Sequence, residues 1–129
     1  MIGIQYPTIT VGTHENLIVR FSIAAQVLMI RWGINPNDLN SHLRRGDEPH
    51  PEGVPNLIKM FAAMVAENFL GTGPAESFSL DKAPTPDYWA CHVSPLDFAA
   101  VNTVVLESVG KVAEARRAAS PPPKLEAVS

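Results

Sequence analysis

FSIAAQVLMIRWGI, residues Phe21 to Ile34, is a helix-length run with apolar side chains on two opposite sides. At helical period Phe21, Ala25, Leu28 and Trp32 line up on one side, and Ile23, Val27 and Ile30 on the other. Only Ser22, Gln26 and Arg31 interrupt the coverage. A surface helix needs a single apolar stripe, so a helix with two has to be covered twice. In a chain of 129 residues the second cover can come from another protein. Ser22 is placed to cap this helix, and Gly33 to end it in the left-handed conformation.

Before the helix, Ile9, Val11, Leu17, Val19 and Phe21 alternate with Thr10, Ile18 and Arg20 around the polar stretch Gly12 to Asn16. That pattern predicts a β-hairpin with one apolar face, its second strand feeding directly into the helix. Pro7 near the start of the first strand suits an edge. After the helix, Asn35-Pro36 predicts a new helical start that ends near Arg44-Arg45-Gly46, with Leu39 and Leu43 as its apolar pair. Asp47 to Gly53 reads as a loop, and Pro55 opens a further helix closed by Gly71.

In that helix Leu57, Ile58, Met60, Phe61, Met64, Val65 and Phe69 cover about half the circumference, opposite Lys59, Ala62, Ala63, Ala66 and Glu67. Gly71 to Pro84 reads as irregular. Thr85-Pro86 and Ser94-Pro95 are two more cap-plus-proline starts, with Asp97 completing a capping pair with Ser94. The last helix, Pro95 to about Arg117, carries Phe98, Val101, Val105, Val109 and Val112 at spacings of three and four. The expected architecture is α+β and mainly helical: an N-terminal β-hairpin followed by four or five helices. Residues 1–117 form one domain, and residues 118–129 a flexible, proline-rich tail.

Catalytic chemistry finds little to work with. Composition is globular, at 46% hydrophobic and 18% charged, with a net charge of -3. The basic residues are scattered, so no electrostatic footprint for nucleic acid stands out. A lone cysteine, Cys91, excludes an internal disulfide and fits a reducing cytosol. No paired knuckle joins Cys91-His92, His42 or His50 into a zinc site, and Asp38 with His42 makes only half of one. Cys91 has no oxyanion or elbow motif beside it, and Gly71-Thr72-Gly73 lacks the rest of a phosphate cradle. Neither an enzyme nor a cofactor or metal protein is expected. MIGIQYPTIT lacks a signal-peptide layout, and Ile23 to Ile30 is too short to span a bilayer, so the expected location is the cytoplasm.

The order of these elements carries a resemblance. A strand pair is followed by F-x-I-A-A-x-x-L-x-x-x-x-G-I-x-x-x-D-L (Phe21 through Leu39), by LIKMFAAMVAENF, and by a Ser/Thr-Pro-initiated C-terminal helix. Over roughly residues 6 to 117 this layout resembles the tail assembly chaperones of long-tailed phages, encoded between the tail tube and tape-measure genes. The resemblance implies a non-enzymatic protein of the host-cell cytoplasm. It also implies two partners, the tape-measure protein, held soluble, and the tail tube protein that polymerises around it. Family members are often also made in a longer, frameshifted form, and Pro123-Lys124 is compatible with a slippery heptamer in the gene.

Candidate residues for client contact or self-association are Leu28, Trp32, Met60, Phe61, Met64, Val105 and Val109, with core packing as their alternative role. Two other functions stay open. The helices flanking Gly33 to Pro36 outline a helix-turn-helix DNA-binding regulator, with Asn37, Asn40, Ser41, His42 and Arg44 on its second helix. A structural tail or connector subunit of the virion is the other.

Overall fold

The computed structural model describes residues 3–71 and 73–119. Strands β1 (Thr8–Val11) and β2 (His14–Ile18) pair antiparallel, with Thr8 opposite Ile18 and Ile9 opposite Leu17. The turn is tighter than the polar stretch suggests, because His14, Glu15 and Asn16 belong to the second strand. The register slips between Ile9 and Val11, and Asn16 absorbs the bulge at a φ of 54°, its amide donating to Thr10 Oγ1 at 3.2 Å. Asparagine is among the few residues that tolerate that left-handed conformation.

Among the described residues five α-helices follow: α1 (Ile23–Arg31), the single turn α2 (Asn40–Leu43), α3 (Gly53–Val65), α4 (Pro86–His92) and α5 (Pro95–Ala119). The chain is thus α+β and mainly helical, with the hairpin first. Short 3₁₀ turns at Ala66–Phe69, Ala75–Ser77 and Leu80–Lys82 fill the irregular connection. Ser22 caps α1 by accepting from the Ala25 amide, and Gly33 follows that helix at a φ of 82°. At the start of α5, the Ser94 hydroxyl accepts from the Asp97 amide at 3.2 Å and donates to the Asp97 carboxylate at 3.0 Å. That helix runs about 37 Å at 1.5 Å per residue and continues two residues past the boundary expected at Arg117. The rest of the expected tail, with Pro123-Lys124, lies outside the described residues.

The helix expected from Asn35 shrinks to α2, and its side chains explain why. Asn35 Oδ1 accepts from the Asn37 amide at 3.0 Å, and the Asn35 amide donates to His42 Nε2 at 2.9 Å. These bonds hold the asparagine in a side-chain-closed turn, which competes with helix. Four residues are also too few to lay a recognition helix along a major groove, so the helix-turn-helix outline is not realised. A small second hairpin, β3 (Arg44–Arg45) and β4 (Glu48–Pro49), occupies part of what reads as loop.

Helix α3 is the hub, touching α1, α2, α4, α5 and β2. Its buried residues include an unbroken run from Met60 to Val65, so its second half is covered on every side. The alanines of the opposite half, Ala62, Ala63 and Ala66, are buried with the rest. Small side chains there let a second layer of neighbours approach closely.

The corner between β2 and α1 is clamped to this hub and to α5. The Arg20 amide donates to Met64 O at 2.8 Å, and the Asn68 side chain bonds both the amide and the carbonyl of Ile18, at 3.0 and 2.8 Å. Buried Ser108, on α5, accepts from the Phe21 amide at 2.9 Å and donates to Val19 O at 2.8 Å. The orientation of α1, and so the choice of its covered side, follows from that corner.

Candidate partner-binding site

Docked this way, α1 buries Ala25, Leu28 and Met29, with Phe21 buried just ahead of it. The opposite stripe stays uncovered: Ile23 is 72% exposed, Val27 37% and Ile30 64%. Large aliphatic side chains at i, i+4 and i+7 thus form an apolar ridge along the outer face of the helix. Its surroundings are polar. The Ser22 hydroxyl donates to the Glu67 carboxylate at one end, and Arg31 pairs with Asp81 at 3.3 Å at the other. Both partners of that pair are well exposed, so it holds the helix end only weakly.

The residues expected to meet a client lie elsewhere. Leu28, Met60, Phe61, Met64 and Val105 are buried, and a folded chain has no way to offer them to a partner. Trp32 and Val109 are half-buried against the same core. The five buried side chains pack the interior, the alternative role open to them in the sequence, while Trp32 and Val109 keep part of their surface open. The ridge on α1 is the stripe that the periodicity also marks; periodicity shows two stripes without showing which one α3 covers.

A second uncovered surface has no counterpart in those expectations. Two adjoining clefts, of about 520 and 430 Å³, share Val54 and Phe98 between them. The first lies among the start of α3, α4 and the start of α5, and is lined by Pro55, Ile58 and Val93. The second continues along α5 past Asn102 to Leu106, walled by Leu43 and His50. Val54 and Leu106 are exposed, at 60% and 49%. The hint in the sequence was faint: Val54 precedes the helix proline, and Leu106 falls off the valine stripe of α5.

Among the described residues no group of three His, Cys, Asp or Glu side chains could hold a metal ion. Each of the four histidines is engaged in the fold. His14 Nε2 lies 2.6 Å from the Tyr88 hydroxyl, and His92 Nδ1 lies 2.7 Å from Tyr88 O. His42 and His50 accept backbone amides from Asn35 and Glu52, each at 2.9 Å. Cys91 is exposed. Among the described residues no helix is long and apolar enough to cross a membrane. Comparison with protein-family models, with curated proteins and with solved structures finds no match to this chain.

Proposed function

We propose that this chain is a tail assembly chaperone of a long-tailed phage: a non-enzymatic protein that holds the tape-measure protein soluble in the host cytoplasm while tail tube subunits assemble around it. The observation that carries the reading is the open ridge of Ile23, Val27 and Ile30. Three large aliphatic side chains in line on one short helix cost solvation free energy in the free protein, at about 25 cal/mol per Å² of apolar area. Burying them against an apolar helical client recovers that free energy. No directional polar group on the ridge would restrict which client sequence fits, which suits a long and variable partner.

Co-expression with a tape-measure fragment tests the proposal. The fragment should move from the pellet into the soluble fraction when this chain is present, and the two should co-purify. A fragment that stays equally insoluble with and without it removes the proposal.

A further inference from the structure

The paired clefts along α5 differ in charge as well as position. The first has Lys59 and Asp87 on its lining, which balance. Among the described residues the only formal charge lining the second is Arg44, in a chain whose net charge is -3. The Arg44 guanidinium already donates to Asp47 O, and one polar group beside it, His50, is a donor too. The Glu52 amide donates to His50 Nδ1, so the proton of the neutral imidazole sits on Nε2, and that N–H is a donor. Asn40 and Asn102 add amide groups that can donate or accept to the same lining. The groove from Pro95 to Leu106 follows roughly 16 Å of α5 at 1.5 Å per residue, the length of about three turns of a second helix.

From this we propose that the groove receives an amphipathic helix: two apolar side chains, one or two turns apart, fill the two clefts, and a carboxylate lies beside Arg44 and His50. Apolar floor supplies the affinity. The donor-rich end sets the direction in which the helix lies, since the negative end of a helix dipole and an acidic side chain both favour that end. Within the chaperone reading the occupant is a helical stretch of the client, reached independently of the α1 ridge.

The test uses a fluorescein-labelled model peptide of about 18 residues, long enough to hold helix. It carries leucines along one face and glutamates flanking them, with a matched peptide bearing lysines in place of the glutamates. By fluorescence anisotropy against the full chain, the glutamate peptide should bind roughly tenfold tighter than the lysine peptide at low salt, a gap that narrows as salt screens the charges. Arg44→Gln should erase most of that preference. Val54→Asp, at an exposed position that leaves the core intact, should abolish binding of the glutamate peptide.

Circular dichroism and a urea midpoint confirm that each variant folds. Equal affinity for the two peptides, or glutamate-peptide binding unchanged by Val54→Asp, overturns the proposal. The two readings fail separately. Selective peptide binding without solubilisation of a tape-measure fragment leaves the groove standing and removes the chaperone. A solubilised fragment with no peptide selectivity does the reverse.

Discussion

Replacing Trp89 by alanine should cost about 3–5 kcal/mol, a large share of the roughly 5–15 kcal/mol that stabilises a domain of this kind. The indole is fully buried on α4 and meets Phe61 at 5.3 Å, Tyr88 at 5.1 Å and His14 at 5.1 Å between ring centroids, each in edge contact. Those rings come from α3, α4 and β2, and Phe69 adds a fourth at 5.9 Å from the 3₁₀ turn after α3. One side chain therefore joins the hairpin, the hub helix and α4. Its Nε1 has no hydrogen-bond partner among the described residues, so Trp89→Phe orphans no acceptor there and should cost about 1–2 kcal/mol, the loss of ring area alone. Urea titration followed by circular dichroism separates the two variants. A Trp89→Ala midpoint close to that of the parent would mean that the aromatic cluster does not hold α4 in place.

Ser108→Ala should be nearly as damaging for the removal of one oxygen. The hydroxyl serves two backbone groups at once, the Phe21 N–H and the Val19 C=O, in a site with no exposure. Each group left buried without a partner costs about 1–3 kcal/mol. The effect should also be local. Amide exchange at Phe21 should accelerate in the variant well beyond the change at Met60, which lies in the middle of α3 and makes no bond to that corner. Uniform acceleration at both amides would indicate plain global destabilisation, and no change at either would show that the clamp does not bear on the corner.

These two side chains mark where the sequence stops being legible. The local punctuation reads directly: Ser22 and Gly33 bound α1, Ser94-Pro95 with Asp97 opens α5, and Val101, Val105 and Val112 carry its buried stripe. Each of those signals acts within one helical turn. The misread elements depend on longer reach. Asn35-Pro36 carries a cap's residue types, but a bond from the Asn35 amide to His42, seven residues on, turns the segment into a closed turn. Ser108 looks like an ordinary polar interruption in an apolar helix until the strand end, 87 residues earlier, is brought beside it. The α1 stripes are the sharpest case. Both are plain in the sequence, yet only the clamped corner decides that Leu28 goes inward and Ile30 outward. The groove left even less trace, because its walls come from six elements, from α2 to α5, that meet only in the folded chain.

The claim on which the functional reading rests is that the outward stripe of α1 is held in reserve for another chain. The most direct measurement is the soluble fraction of a co-expressed tape-measure fragment, compared between the parent and the double variant Ile23→Asp, Ile30→Asp. Both positions are mostly exposed, so the variant should keep its fold within about 0.5 kcal/mol per site. A folded variant that leaves the fragment in the pellet is the expected result. A folded variant that solubilises the fragment as well as the parent does would contradict the claim.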